Sequence, residues 1–111
     1  MAHKLGIELG IGVFGEGLQI FHSHGIVVNS SARVGKNCHL HGNNCIGNNG
    51  INDGAPVLGD NCTLGVGLKV LGEIVLGNNV TVAAGAVVVQ SFPEDNIVLA
   101  GVPAKIVKSK S

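Results

Sequence analysis

The sequence predicts an all-β fold, a solenoid whose short parallel strands close a triangular prism in steps of six residues. Three observations predict it. Counting back from Val88, a six-residue step lands on Val82, Leu76, Val70, Leu64, Leu58, Asn52, Ile46, Leu40, Val34 and Val28, all aliphatic except Asn52. Four residues after these heads stand mostly small or apolar side chains, among them Ala32, Cys38, Cys62, Leu68, Ile74, Val80 and Ala86. The chain is 45% hydrophobic and carries 18 glycines, yet its aromatic residues are 3 phenylalanines, so its core is filled without the large rings that layered folds use as bulk.

A fixed short period marks a unit that buries its inner face only by stacking on its neighbours. Six residues are too few for a helical unit and enough for one short strand plus a tight corner. Three such units close a triangle, and successive triangles pair as parallel strands about 4.8 Å apart. The triplets "GKN", "GNN", "GDN" and "GNN" recur at the expected corners, where glycine and asparagine both tolerate positive φ. Inside so narrow a prism Leu, Ile, Val, Ala and Cys fit, and rings do not. Eleven hexads make between three and four layers, roughly 17 Å of prism at the strand spacing.

Taken in order, residues 1–27 read as an N-terminal cap and first layer. The count decays there, with His22 and Glu16 on head positions, so either the frame shifts or a cap begins. Residues 28–91 are the regular hexads. Within them 47–57, "GNNGINDGAPV", keeps the count while losing the pattern, and reads as a loop leaving the prism between two layers. Residues 92–111 read as a C-terminal cap: Pro93 and the acidic pair Glu94 and Asp95 end the repeat, and an extended apolar stretch covers the open strand edge. The whole, 1–111, is one domain, short enough to profit from a partner.

Net charge is +0, which gives no electrostatic footprint for nucleic acid or an anionic membrane surface. The modestly basic tail, Lys105, Lys108 and Lys110, reads as solvated. No apolar run approaches the roughly 20 residues of a membrane span, and the first residues lack the hydrophobic segment of a secretory signal. A cytoplasmic protein is expected. Cys38, Cys45 and Cys62 are odd in number and form no CxxC pair, which suggests reduced core thiols. "GIGVFG", residues 10–15, satisfies GxGxxG in letters without any βαβ context.

The hexads together with "AGVPAKIV" (100–107) and "FHSHGIVVNSSARVGKN" (21–37) resemble the hexapeptide-repeat acyltransferases, in particular the serine acetyltransferase-like branch and its relatives that acetylate sugars in polysaccharide synthesis. The resemblance implies a left-handed parallel β-helix, a homotrimer, and acetyl-CoA bound in the groove between neighbouring prisms. It implies direct acetyl transfer to a small-molecule hydroxyl acceptor, without metal, by a histidine general base, a task suited to an imidazole of pKa near 6.5. By its offset from Gly25-Ile26-Val27-Val28, His22 takes the place of that base. Glu8, in "GIE", is the nearest equivalent of the carboxylate that orients it, with Glu16 as alternative. The family's coenzyme contacts fall on Gly47, Val66, Gly67, Ala84 and Gly85, and Lys105 matches the basic residue near the nucleotide phosphates. His24, His41 and Asp53 are the acceptor-side candidates, His41 sharing a strand face with His39.

In one place the chain departs from serine acetyltransferases. Gly54 and Ala55 stand where that branch carries an Arg-His pair that holds the amino acid. Without a cation to grip a carboxylate, the site is expected to prefer a neutral polyol such as a sugar over L-serine. Two rival readings share the fold: a non-catalytic trimeric scaffold, and a zinc enzyme like the γ-class carbonic anhydrases. The second is disfavoured because no histidine follows His41.

Overall fold

The computed structural model describes residues 7–8, 13–20, 25–28, 31–47 and 54–110, with the side chains of 7–8 excepted. All regular structure among them is strand. The strands form a left-handed parallel β-helix with three faces. The first face stacks β1 (Ile7–Glu8), β3 (Ile26–Val28), β6 (Cys45–Gly47), β9 (Lys69–Leu71) and β12 (Val87–Val88). The second stacks β4 (Arg33–Val34), β7 (Val57–Leu58) and β10 (Val75–Leu76), extended by bridges from Phe14 to Val34 and from Leu76 to Phe92. The third stacks β2 (Gln19–Ile20), β5 (His39–Leu40), β8 (Thr63–Leu64), β11 (Thr81–Val82) and β13 (Ile97–Ala100), with β14 (Lys105–Ser109) added antiparallel at its end.

Every described hexad head from Val28 to Val88 is buried, as are the described residues four positions on. Heads of one face sit in register, for example Leu40 on Leu64 and Leu64 on Val82, so each methyl-rich layer is covered by the next. The single buried polar residue among those described is Asn44. Its side chain accepts from the Gly42 amide at 2.9 Å and donates to the Gly65 carbonyl at 2.7 Å, which satisfies two backbone groups that the corner leaves unpaired. Cys38 and Cys62 are buried thiols one coil apart, and Cys45 is half-buried. Burial, reinforced by the neighbouring Cys62, pushes the Cys38 thiol up from 9.0 to about 12.

The corners divide labour between glycine and asparagine more sharply than the triplets suggest. At the corner from the second face to the third, positive φ belongs to Gly17 in the first coil and to Asn37, Asn61, Asn79 and Asn96 after it, with φ of 83, 58, 60, 54 and 60°. The triplet glycines Gly59 and Gly77 are needed for a different reason. A Cβ on Gly59 would lie 2.7 Å from the Gly77 carbonyl oxygen, and one on Gly77 2.5 Å from that of Glu94. From the second coil on, asparagine thus turns the chain at this corner while the triplet glycines let successive coils touch.

Register identifies where the coil is interrupted. Between the first and second faces the chain pairs Ile46 with Val70 but Val57 with Val75, so the segment 47–56 is six residues longer than its counterpart one coil on. This agrees with the loop expected there; residues 48–53 themselves lie outside the described set. Between the third and first faces Ile20 pairs with Leu40 and Val27 with Cys45, which makes the stretch from 21 to 26 two residues longer than its counterpart. The decay of the count before Val28 is therefore a frame shift within a continuing coil, with Phe14 and Ile20 in the places that an unbroken count assigns to Glu16 and His22.

The C-terminal end also differs from expectation. The coil does not stop at residue 92: Phe92 is buried against the second face, and Thr81 and Val82 pair in parallel with Val98 and Leu99 of β13. Only then does the chain reverse, through a turn containing a cis Val102–Pro103 bond, into β14. All five residues of β14 are exposed, so it closes the edge of the third face and leaves the end of the prism's core to Phe92, Ile97, Leu99 and Ala104.

Candidate active site

Four of the coenzyme candidates fall in one column. At the corner from the third face to the first, the left-handed residues of successive coils are Gly25, Asn43, Gly67 and Gly85, with φ of 69, 51, 74 and 73°. The Gly67 amide donates to the Gly42 carbonyl at 3.0 Å, and the Gly85 amide to that of Val66 at 2.9 Å. Backbone stacking therefore fixes the column as rigidly as the faces. Its outer surface is bare at two coils, where a Cβ on Gly67 or on Gly85 would meet nothing within 4 Å, while at the coil above them the Asn43 side chain fills the space that a Cβ on Gly25 would take. Val66 and Ala84 flank these glycines and are exposed. Gly65, two residues before Gly67, is packed the other way, since a Cβ there would lie 2.6 Å from the Ala84 nitrogen. Across the Gly67 and Gly85 coils the column offers an open channel of apolar edges and backbone groups, a shape that admits a narrow extended ligand.

The next turn of the same corner runs from Gly101 to Ala104. The Gly101 carbonyl accepts from Val87 at 3.0 Å and the Ala104 amide donates to the Val87 carbonyl at 2.8 Å, so the "GVPA" turn continues the column by one coil. Val102 is the most exposed large apolar residue among those described, at 72%. Lys105 follows at once as the first residue of β14 and is exposed. The sequence reading singled out Lys105 in this motif and missed Gly101 and Val102; the glycine directly before Val-Pro was the available signal.

At the other end of the column lies the connection from β2 to β3, the segment two residues too long for the coil. Its residues 21–24, with His22 and His24, are outside the described residues, as is Asp53. His41 begins the same corner one coil on; it is half-buried and its amide donates to the Leu64 carbonyl at 3.2 Å. His39 flanks the buried Leu40 on the middle of the third face, in register with Gln19 and Thr63, and is not at the corner. The backbone of Glu8 pairs with that of Val27 on the first face, in the coil that follows the His22 segment. Glu16 is exposed in the turn of the opposite corner, where its carbonyl accepts from Asn37 at 2.8 Å.

The structure separates Gly47 from the other coenzyme candidates. It ends β6, on the far edge of the first face, because the strand crosses that face before the chain emerges. A Cβ on Gly47 would also meet open space, and its carbonyl accepts from Gly72 at 2.9 Å. At the return of the loop, the side chain of Glu73 lies where a Cβ on Gly54 would stand, with its Cγ 2.6 Å and Cδ 2.7 Å from that position. No larger residue fits at 54 unless Glu73 moves.

No protein-family model matches the sequence, but individual proteins do. A protein of Synechococcus elongatus is 36% identical over 105 residues, an alignment spanning 92% of this chain and 43% of that one. It is named serine acetyltransferase. The similarity is to serine acetyltransferases. The serine acetyltransferase of Brucella abortus in complex with coenzyme A superposes with a TM-score of 0.84 at 35% identity, over 88% of this chain and 40% of that one. A soybean serine acetyltransferase complexed with serine gives 0.80 at 32% identity, over 85% and 39%. The chain thus spans less than half the length of the serine acetyltransferases it matches.

Proposed function

We propose that this protein is an acetyl-CoA-dependent O-acetyltransferase. One observation carries the reading: the bare, left-handed glycines of Val66-Gly67 and Ala84-Gly85 lie on the corner that joins the segment bearing His22 to Lys105, in a chain similar to serine acetyltransferases, one of them solved with coenzyme A. Acetyl-CoA is the donor substrate. The open positions at Gly67 and Gly85 fit its narrow pantetheine arm, and Lys105 at the lower end fits its phosphates. Gly47, on the other edge of the first face, would meet the same ligand only across a groove formed with a second copy.

His22 is the general base. Its imidazole takes the proton of the acceptor hydroxyl as the oxygen attacks the thioester carbonyl. The new C–O bond replaces the C–S bond, and the leaving thiolate recovers the proton from the imidazolium. Glu8 is the carboxylate that holds the imidazole, while His24, His41 and Asp53 face the acceptor. The assembly is a homotrimer. Exposed valines on the first and second faces, Val27, Val57 and Val75 at 44 to 47%, supply apolar surface for neighbouring prisms. Acetyl-CoA places the reaction in the cytoplasm.

The acceptor is a neutral hydroxyl compound such as a sugar. Gly54 and Ala55 supply no cation, and Glu73, lying against Gly54, puts a carboxylate at the root of the loop, which would repel an amino acid's own carboxylate. L-serine is the second reading, favoured by the names of the relatives. Calorimetric titration with acetyl-CoA, alongside the mass in solution, tests the proposal. Binding near one per chain by a trimer is expected; a folded trimer that binds no acetyl-CoA would leave the scaffold reading.

A further inference from the structure

The two corners that flank the third face use their asparagines differently. At the corner entering that face the side-chain amides bond to one another along the stack: Asn37 Nδ2 donates to Asn61 Oδ1 at 3.2 Å, and Asn79 Nδ2 to Asn96 Oδ1 at 2.8 Å. At the corner leaving it, the one asparagine among the described left-handed residues is Asn43, between Gly25 above and Gly67 below. Its side chain repeats the conformation of Asn37. The Cγ and Cα of Asn37 lie 3.1 and 3.3 Å from the place of a Cβ on Gly17, those of Asn43 lie 3.2 and 3.3 Å from the place of a Cβ on Gly25, and in both pairs Oδ1 is the atom turned to the glycine. Gly67 stands to Asn43 as Asn61 stands to Asn37, its amide donating to the Gly42 carbonyl at 3.0 Å where that of Asn61 donates to the Lys36 carbonyl at 2.7 Å.

Asn37 turns its Nδ2 down the stack, onto the side-chain oxygen of Asn61. Asn43, holding the same shape, turns its Nδ2 down the stack over Gly67, which has no side chain to accept it and where a Cβ would meet open space. The exposed amide of Asn43 thus stands at the head of the bare channel with an N–H aimed into it and no acceptor among the described residues. Directly above it, Gly25 ends the segment that bears His22. A donor lying along Gly85 and Gly67 with its acyl end toward the base brings its thioester to this level, one coil step or about 4.8 Å above Gly67. We propose that Asn43 is a catalytic residue whose Nδ2 donates to the thioester carbonyl oxygen. As the acceptor oxygen bonds to the carbonyl carbon, the electron pair of the C=O bond moves onto that oxygen, and the amide stabilises the charge. The pair then returns, the C–S bond breaks, and the thiolate takes the proton held by the imidazolium. A fixed donor aimed where charge develops acts on the transition state more than on the bound thioester. The proposal rests on the acetyl-CoA reading and adds to it a group that meets the reacting carbonyl.

The test uses the full chain and its Asn43→Gly and Asn43→Asp variants. Asn43→Gly keeps the left-handed backbone, since Gly67 and Gly85 hold it on the same corner, so its urea unfolding should match that of wild type. With carbonyl-labelled acetyl-CoA, infrared difference spectra should show the thioester C=O stretch lowered on binding to wild type and not on binding to either variant. Turnover, read as release of the CoA thiol, should fall about a hundredfold in Asn43→Gly and further in Asn43→Asp, whose carboxylate would repel the developing charge. Affinities of Asn43→Gly for acetyl-CoA and for CoA should stay within a few fold of wild type. An unshifted stretch in wild type, or full turnover in Asn43→Gly, would overturn the role of Asn43 while leaving donor binding intact. Equal weakening of acetyl-CoA and CoA with turnover at saturation kept would overturn it too, because the amide would then hold the pantetheine arm. If wild type does not bind acetyl-CoA, the donor reading falls and this role with it.

Discussion

Gly85→Asn separates the fold's use of the glycine column from the ligand's. Gly85 has φ 73°, and on the same corner two coils above Asn43 holds φ 51°, so the column already accepts asparagine in this conformation. An alanine in the left-handed region costs about 1–2 kcal/mol, and asparagine, whose side chain bonds its own backbone there, less than about 1 kcal/mol. No steric cost is added, because the Cβ meets no atom within 4 Å. The coil should therefore survive, with urea unfolding shifted by less than about 1 kcal/mol. The side chain would stand in the open channel, displacing a ligand that approaches the backbone, and acetyl-CoA affinity should fall at least about tenfold, or about 1.4 kcal/mol. Titration and unfolding on the same preparation decide it. Unchanged affinity would refute the column as the donor's path; unfolding would refute the equivalence of its corner positions.

Two further predictions concern the core. Asn44→Ala strands the Gly42 amide and the Gly65 carbonyl inside the corner, and should cost about 2–3 kcal/mol in urea unfolding; a cost below about 0.5 kcal/mol would mean that water replaces the side chain. Cys38 keeps its proton in the folded protein to about pH 12 but loses it near 9 when unfolded. Its contribution to stability is thus whole below pH 9 and declines as pH rises from there toward 12, by up to about 1.4 kcal/mol per pH unit. Denaturant unfolding at pH 8 and 10 should show a smaller loss for Cys38→Ala than for wild type, and equal losses would contradict the burial of this thiol.

Much of this architecture is legible in the six-residue count, because each head must enter a core with room for one branched aliphatic side chain. Asn52 and Pro56 broke the pattern where the coil is six residues too long. The frame shift was harder to read: Phe14 and Ile20 are themselves six apart, but two surplus residues before Val28 put them out of phase with everything that follows. The role of each corner glycine was not legible, since Gly59 and Gly67 look alike in sequence, whereas a neighbouring backbone crowds the first and open space faces the second. The resemblance puts Gly47 among the coenzyme contacts together with the glycines of the column. Only the crossing of β6 over the first face places it on the other edge.

The central claim is that His22 removes the acceptor's proton while the column holds the donor. The most direct measurement is acetyl transfer by wild type and His22→Ala, read as release of the CoA thiol with a sugar or L-serine as acceptor, beside acetyl-CoA affinity for both. The account predicts that turnover is lost in the variant with affinity within a few fold of wild type. A fully active His22→Ala enzyme would contradict it and move the base elsewhere, with His24 the first to examine.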